Sequence, residues 1–163
     1  MTVIISPELL EALGLINYKL QERGVRWILA GSASLAFQGV KITPEDVDII
    51  TDKKGALVFN ELFKDHALNA VSWSRTEEFE SYFGKFQIKG IRVEIMGDLK
   101  VKEGSTWRSL SYRLKNPRLV TVGKLTVPVS PLDDQLESYT RSSREKDKKM
   151  VTLINEALEK IKD

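Results

Sequence analysis

Two acidic residues separated by a single position, Asp46 and Asp48, follow a Gly31-Ser32 pair, with Asp46 fifteen positions after the glycine. In an extended strand alternate side chains point to the same face, so both carboxylates lie on one side and their apolar neighbours on the other. Ionised carboxylates roughly 6–7 Å apart along a strand repel each other and are costly to desolvate unless a cation lies between them. Magnesium is the natural cation, because it prefers oxygen ligands and completes its shell with water and substrate phosphates. The pattern therefore indicates phosphoryl or nucleotidyl transfer.

The Gly31-Ser32 pair lies where an apolar run gives way to small, helix-compatible residues. Glycine allows a phosphate to approach the backbone closely, and the first free amides of a helix carry the positive end of its dipole. Ser32 can donate its hydroxyl to a phosphate oxygen. Taken alone, the pair fits an ordinary turn with Ser32 as a helix cap, and alternating acids fit an exposed strand. Their combination favours a phosphate and metal site.

A two-metal site needs a further carboxylate from a neighbouring strand. Glu94 is the one acid within the strongly apolar segment 91–96, and both of its neighbours are apolar residues that face the core. Glu94 is therefore predicted on the opposite face, where the two aspartates also lie. The alternative is an exposed glutamate paired with Arg92 or Lys85, and Asp98 is a reserve candidate in a predicted loop.

Near the C-terminus, Arg144 and Lys146 lie at the beginning of a predicted helix, with Asp147 next to them. Cations at a helix start oppose the helix dipole, which suggests a role other than stability. Either cation could reach a triphosphate, and Asp147, three positions after Arg144, could hold that arginine in place. The alternative is a solvated, charged helix end.

The 163 residues are predicted to form a single domain, 1–163, and the net charge of +2 indicates no strong field that requires nucleic acid or membrane. The absence of cysteine excludes disulfides, thiolate catalysis and sulfur-ligated zinc. The single histidine, His66, has no set of zinc ligands around it in the sequence. No long apolar stretch is present, so a cytoplasmic protein without membrane association is expected.

Periodicity and turn residues predict the elements that must position these side chains. Helices are expected over 7–23, 32–38, 52–67, 131–139 and 141–162; strands over 25–30 and 46–51; β-structure over 71–97, with a hairpin turn at 89–90; and a second hairpin over 119–129. The polar segment 103–116 receives no assignment. The site motifs lie within 28–97, and helices fill 131–162.

Three segments together resemble the nucleotidyltransferase superfamily with the DNA polymerase β-like palm: Leu29-Ala30-Gly31-Ser32, Lys41-x-Thr43-x-x-Asp46-Val47-Asp48 and Val93-Glu94-Ile95. The long spacing from Gly31 to Asp46 is most similar to the branch of AbiEii-type toxin nucleotidyltransferases and small stand-alone relatives. The lincosamide and other antibiotic nucleotidyltransferases are more distant. Arg144-x-Lys146-Asp147 resembles the motif that begins a C-terminal helix in many members. The motifs cover 28–51, 91–97 and 144–147.

This resemblance implies an α/β (α+β) fold, with a mixed, mostly antiparallel sheet and helices packed chiefly on one face. It implies transfer of a nucleoside monophosphate from a nucleoside triphosphate, ATP among them, to an acceptor hydroxyl, with release of pyrophosphate. Two Mg²⁺ ions, or Mn²⁺ instead, would be held by the three acids, and Glu94 would also accept the acceptor's proton. The implied site residues are, for metal and catalysis, Asp46, Asp48 and Glu94, and, for the nucleotide, Gly31, Ser32, Lys41, Thr43, Arg144 and Lys146.

The chain departs from the pattern of the superfamily at two positions. The third acid is Glu94 where aspartate is frequent, which lengthens its reach by one methylene, and Lys41 stands where arginine is common, so a bidentate contact becomes a point charge. The extra helical domain with which larger members bind the acceptor has no counterpart. Acceptor binding across a homodimer or by a partner protein is therefore expected as one solution.

The acceptor itself is left open between a small molecule and RNA, including a toxin activity that adds nucleotides to tRNA. A second hypothesis is an inactive descendant that binds a nucleotide or RNA and acts through a partner. Three aromatic residues could stack a base, although such residues more often serve packing: Trp73, Trp107 and Tyr112.

Overall fold

A computed structural model describes residues 5–142 and 144–162 of the chain. The α-helices are α1 (Pro7–Glu22), α2 (Gly31–Phe37), α3 (Lys53–Leu62), α4 (Leu132–Arg141) and α5 (Glu145–Lys162). The strands are β1 (Trp27–Ala30), β2 (Val47–Thr51), β3 (Ala67–Arg75), β4 (Phe79–Ile88), β5 (Ile91–Glu103), β6 (Thr106–Ser109), β7 (Arg118–Val122) and β8 (Leu125–Val129). Two 3-10 turns cover Lys64–His66 and Ser111–Leu114.

The strands form one eight-stranded sheet in the order β3-β4-β5-β2-β1-β8-β7, with β6 paired to the far part of β5. Among the strand pairs of the described residues, β2–β5 and β1–β8 are parallel and the others antiparallel. The predicted mixed, mostly antiparallel sheet is therefore confirmed. The strands β5, β2 and β1, which carry the predicted site, are at the centre of the sheet.

The main core lies between one face of the sheet and the helices α1 and α3. Helix α1 begins as predicted: the Ser6 hydroxyl accepts a hydrogen bond from the Leu9 amide at 3.2 Å, and proline occupies the first helical turn. The fully buried side chains of α1 recur every three or four residues: Leu9, Leu13, Ile16 and Leu20. They pack with alternate residues of the central strands β2 and β5: Val47, Ile49, Val93 and Ile95.

The opposite face of the sheet carries a smaller apolar cluster around Ile28, Ile50 and Leu99, closed by the 3-10 turn Ser111–Leu114. Helices α4 and α5 pack on each other and on α2 through Leu35, Leu132, Ile154 and their neighbours. Within the described residues no helix is both long and apolar enough to cross a bilayer.

The predicted helix over 52–67 is too long. Helix α3 ends at Leu62, and the edge strand β3 begins at Ala67 after a 3-10 turn. The first residues of β3, 67–70, carry no strand pattern of their own and are extended because this strand pairs with β4. Of the predicted helix only Ala67 belongs to the strand, whereas Lys64–His66 form the 3-10 turn.

The predicted loop at Asp98 is also wrong, because β5 continues to Glu103. Asp98 has a positive φ of 53° and forms a bulge: Tyr82 pairs with Gly97 and Glu80 with Lys100, so β5 has one residue more than β4 between these pairs. The bulge turns Leu99 toward the face opposite α3. Asp98 itself accepts a hydrogen bond from the Lys53 amide at 2.9 Å and is directed to the start of α3.

The segment 103–116, which the sequence left unassigned, contains β6 and the 3-10 turn Ser111–Leu114. The predicted helix over 141–162 begins later, since Arg141 is the last residue of α4 and α5 starts at Glu145. The hairpins at 89–90 and around Gly123 are confirmed.

Candidate active site

The candidate site lies at one end of the three central strands, where β1 ends and where the parallel strands β2 and β5 begin. Asp48 pairs in register with Glu94 on β5 and with Ala30 on β1. Neighbouring strands are about 4.8 Å apart, and paired residues point to the same face. The two carboxylates therefore lie side by side on the face opposite α1 and α3, as the alternation of the sequence predicted.

The turn from β1 into α2 brings backbone against one of these carboxylates. Gly31 has a φ of +64°, a conformation that side chains rarely adopt, and a Cβ at this position would collide with the Asp48 carboxylate. Glycine is therefore required at position 31 for two reasons: the positive φ of the turn and the close contact with the Asp48 carboxylate. The sequence predicted close approach of a phosphate to Gly31, and that role stays a prediction; the group that the structure places against Gly31 is the Asp48 carboxylate.

Helix α4 holds this turn in place. The side chain of Gln135 is buried, its Nε2 donates to the Gly31 carbonyl at 3.0 Å, and its Oε1 accepts from the Ser34 hydroxyl at 2.7 Å. Gln38 Nε2 adds a bond of 2.8 Å to the Ser130 carbonyl. Polar side chains of α2 and α4 therefore fix the position of Gly31 relative to Asp48.

The pKa of Asp48 is raised from its ordinary value of 3.8 to about 7. Burial is the largest cause, followed by the charges of Glu94 and Asp46 and by a hydrogen bond to Glu94; the charge of Lys146 acts in the opposite direction. Burial and the repulsion between the carboxylates therefore outweigh the attraction of the nearby Lys146 charge. Such a group is the kind of donor set that binds a further cation.

Helix α5 places cations near these carboxylates. Arg144 Nε donates to Asp147 Oδ2 at 2.9 Å, and Asp147 is buried, so the ion pair predicted from their three-residue spacing is present. Lys146 is exposed and close enough for its charge to lower the pKa of Asp48. Tyr139, which precedes them on α4, has its pKa raised to about 12 by burial and by the charges of Asp48 and Asp147.

A cavity of about 390 Å³ opens over these groups, and we call it the central cavity. The carboxylates lie at one end of this cavity, and β4, the 3-10 turn Ser111–Leu114 and α4 form the other end. The residues at the carboxylate end are Ala30, Gly31, Asp48, Glu94, Ser130, Gln135, Tyr139, Arg144 and Asp147. Its volume is at the lower end of the range for small-molecule sites.

The structure brings together some of the residues predicted for this site and separates others. Gly31, Asp48, Glu94 and Arg144 line the central cavity. Asp46, Ser32 and Lys146 lie at its border: Asp46 is exposed just before β2, Ser32 follows Gly31, and the charges of Asp46 and Lys146 act on Asp48.

Two predicted nucleotide-binding residues do not line this cavity. Lys41 is exposed and lies beside Lys160 of α5, where it lowers the pKa of that lysine. Thr43 is exposed in the loop before Pro44. The lining of the central cavity is thus formed without either residue.

Among the residues that the structure describes, no group of three or more His, Cys, Asp and Glu side chains is arranged to hold a metal ion by itself. Asp48 and Glu94 form a registered pair, and Asp46 is exposed just before β2, near enough for its charge to act on Asp48. Magnesium is commonly bound by one or two carboxylates together with substrate phosphates. The donor chemistry of the pair fits that mode, in which the nucleotide completes the site.

Sequence reasoning missed Gln135, Tyr139 and Arg113, all of which line the central cavity. Gln135 and Tyr139 lie more than eighty positions after Asp48, within an ordinary polar helix. Arg113 lies in the unassigned segment. A lone arginine between the apolar residues Leu110 and Leu114 was the one available signal, and it was weak.

Comparison with known proteins identifies a family and related folds. Residues 12–153 match the model of the aminoglycoside-2''-adenylyltransferase family. A Thermotoga maritima protein named as a proposed nucleotidyltransferase is 35% identical, superimposes with a TM-score of 0.82, and the alignment covers 94% of this chain and 97% of that one. No curated protein sequence matches the chain significantly.

Two more distant structures share the fold. The lincosamide antibiotic adenylyltransferase LnuA, solved with lincomycin bound, is 14% identical with a TM-score of 0.58, covering 95% of this chain and 98% of its own. The antibiotic-resistance factor ANT(2'')-Ia is 8% identical with a TM-score of 0.58, covering 91% and 83%. A crystal structure of ANT(2'')-Ia holds adenylyl-2''-tobramycin.

Proposed function

The chain belongs to the aminoglycoside-2''-adenylyltransferase family, within the nucleotidyltransferase superfamily, and from this premise we propose that it transfers a nucleoside monophosphate from a nucleoside triphosphate to a hydroxyl group. The observation that carries this proposal is the pairing of Asp48 with Glu94 against the Gly31 turn, within one cavity. Crowded carboxylates beside a half-buried backbone turn suit a magnesium-bound polyphosphate.

In the proposed reaction the acceptor oxygen attacks the α-phosphorus of the triphosphate. A new oxygen–phosphorus bond forms, and the bond from the α-phosphorus to the oxygen that bridges it to the β-phosphate breaks. Pyrophosphate leaves with the electron pair of that bond, and the hydroxyl proton passes to a base. Glu94, which lines the cavity beside Asp48, is the residue proposed to accept that proton.

Asp48 and Glu94, with Asp46 next to them, are the residues that would hold the two Mg²⁺ ions of this superfamily. When bound, these ions offset the charge on the attacking and leaving oxygens. The remaining contribution of the acids is to orient the triphosphate relative to Gly31, since the glycine backbone and the Asp48 carboxylate are in direct proximity.

Arg144 and Lys146 are proposed to bind the β- and γ-phosphates. The buried Asp147 holds Arg144 at the cavity wall, which reduces the side-chain entropy lost when the phosphate binds. Lys146 contributes a point charge from the same helical turn. Ser32 is proposed to donate its hydroxyl to a phosphate oxygen at the Gly31 turn.

The assignment to the AbiEii-type branch of the superfamily stays a prediction. The AbiEii-type assignment rested on the spacing from Gly31 to Asp46, whereas the matching family model is that of an aminoglycoside adenylyltransferase. The ligands bound in the structures of the relatives, lincomycin and an adenylylated tobramycin, support a small-molecule acceptor over an RNA.

Calorimetric titration tests this function directly. ATP, GTP, CTP and UTP are titrated into the wild type and into Asp46→Asn/Asp48→Asn, with Mg²⁺ and with a chelator. At least one triphosphate is expected to bind only with Mg²⁺ and only to the wild type. Asp65→Asn, an exposed aspartate in the 3-10 turn Lys64–His66, is the matched control and should bind like the wild type. If no triphosphate binds the wild type, the proposed function is wrong.

A further inference from the structure

Arg113 is a buried cation between two cavities. Its side chain is 4% exposed, and it lines both the central cavity and a smaller cavity of about 160 Å³. Nη1 donates to the Ser138 hydroxyl at 2.8 Å, whereas Nε has no hydrogen-bond partner among the described residues. A guanidinium has five donors, and a buried one is costly unless an anion lies close to it.

The nearest carboxylate does not satisfy this cation, because other arginines hold it. Glu137 Oε1 is 3.8 Å from Arg113 but 2.7 Å from Arg108 and 3.3 Å from Arg141. A second acid of this network is Glu103, at 3.6 Å from Arg108 and 3.4 Å from Arg141. Within the described part of the chain, three guanidinium groups therefore share two carboxylates, and Arg113 has the longest contact.

The wall of the central cavity near Arg113 is neutral or apolar. Hydroxyls come from Ser138 and Ser142, and the apolar surface comes from Phe79, Phe83 and Leu110. The acids in the lining are Asp48 and Glu94, which the reaction uses, and Asp147, which is paired with Arg144. No acid in the described lining is left to receive the ammonium groups of a polyamine.

A second orphaned polar atom lies in the same cavity. The Ser130 hydroxyl is buried without a hydrogen-bond partner in the part of the chain that the structure describes, and Ser130 lines the carboxylate end. Buried polar groups are normally satisfied by protein, water or ligand, and both of these atoms belong to residues that line the central cavity.

We propose that the acceptor is a small hydroxy compound that carries an anionic group, a carboxylate or a phosphate, and that Arg113 binds this group. The proposal rests on the proposed function and adds the chemical class of its acceptor. The anion at Arg113 offsets the buried charge, the acceptor's apolar part contacts Phe79 and Leu110, and its hydroxyl is directed toward Asp48 and Glu94. An acceptor of this class differs from the polyamine antibiotic for which the family is named.

The experiment compares matched pairs of small acceptors. Four hydroxycarboxylates of increasing size, from lactate to 3-phenyllactate, and glycerol 3-phosphate are titrated against the wild type with Mg²⁺ and a non-hydrolysable ATP analogue. Each is paired with its neutral counterpart: the hydroxyamides and glycerol. Tobramycin is the polyamine probe, and turnover of each compound is followed by pyrophosphate release with ATP.

At least one anionic compound is expected to bind about tenfold or more tightly than its neutral counterpart. A preference among the carboxylates or for the phosphate identifies which anion is used. Arg113→Gln should remove this preference, and Arg113→Lys should retain part of it. Arg108→Gln is the matched control, because Arg108 binds the same Glu137 without lining either cavity.

The proposal is overturned if no anion has an advantage over its neutral counterpart on the wild type, or if tobramycin binds more tightly than every anion. It is also overturned if the anion preference survives in folded Arg113→Gln. The wild-type comparison decides the matter even if the Arg113 variants fail to fold. Binding of the ATP analogue, measured in the same titrations, separates failure of this inference from failure of the proposed function.

Discussion

Asp48 and Glu94 are registered partners on adjacent parallel strands, and the Gly31 turn lies directly against the first of them. This relationship places two like charges on one face of the sheet, and the pKa of Asp48 rises to about 7 as a result of burial and of this neighbour. We therefore expect that the charge of Asp48 lowers the stability of the metal-free protein although the proposed reaction needs it.

Replacement of Asp48 by asparagine should stabilise the metal-free protein while it abolishes nucleotidyl transfer. The substitution keeps the side chain's size and removes a charge that burial, Glu94 and Asp46 all disfavour. We expect a gain of about 1–2 kcal/mol in the free energy of unfolding, measured by urea denaturation at pH 8 with a chelator. Asp65→Asn should leave the stability unchanged. A less stable Asp48→Asn variant would contradict the electrostatic account.

The same carboxylate predicts the pH dependence of metal-free stability. The pKa of Asp48 is higher in the folded state than its ordinary 3.8, so the folded state binds this proton more tightly than the unfolded state does. The penalty is absent below about pH 4, where both states are protonated, and complete above about pH 7. Stability of the wild type relative to Asp48→Asn should therefore fall as the pH rises from 4 to 7. Denaturation of both proteins across this range measures the difference, and a constant difference would exclude the predicted titration.

Gly31→Ala should disrupt the site more than the fold. A Cβ at this position collides with the Asp48 carboxylate, and the φ of +64° is unfavourable for alanine. Gly24→Ala is a close control, because Gly24 has a φ of +66° with no atom within 4 Å of the added Cβ. Both variants should lose about 1–2 kcal/mol of stability, whereas only Gly31→Ala should lose turnover, by about 100-fold. Equal activities would show that the approach of Gly31 to Asp48 is unimportant.

Gln135 is predicted to be a positioning residue. Gln135→Met keeps the volume but removes the bonds to the Gly31 carbonyl and the Ser34 hydroxyl, at a cost of about 1–3 kcal/mol in stability. Ser34→Ala removes the second bond, together with the contacts of the Ser34 hydroxyl to the Ser130 carbonyl and to Gln38, but it keeps the bond from Gln135 to Gly31 and serves as the control. Only Gln135→Met should weaken triphosphate binding in the Mg²⁺ titration, because only that variant releases Gly31. If both variants bind the triphosphate equally, Gln135 has a structural role alone.

The sequence was sufficient for the elements whose signals are local. The cap at Ser6, the alternation around Asp48 and Glu94, and the hairpin at 89–90 all depend on neighbours within a few positions, and each is found as predicted. The three-residue spacing of Arg144 and Asp147 likewise predicted an ion pair that needs only one helical turn.

Elements that depend on distant partners were mispredicted or missed. The predicted helix ended at residue 67 and residues 68–70 had no prediction, yet all of them belong to β3, because β4 supplies their hydrogen bonds. The bulge at Asp98 results from pairing with β4 on one side and contact with α3 on the other. Neither partner can be read from the residues of the segment itself.

The types and alternation of the acids are enough to predict which face of a strand they occupy, because that face depends on strand geometry alone. What surrounds the acids depends on the packing of distant segments. This packing brought Gln135 to the Gly31 turn, across 104 positions, and separated Lys41 from the central cavity. It also buried Arg113 between Ser138 and a carboxylate shared with two other arginines. Packing of α4 and of the 3-10 turn against the sheet sets these contacts, and the energy of such packing depends on all the elements together.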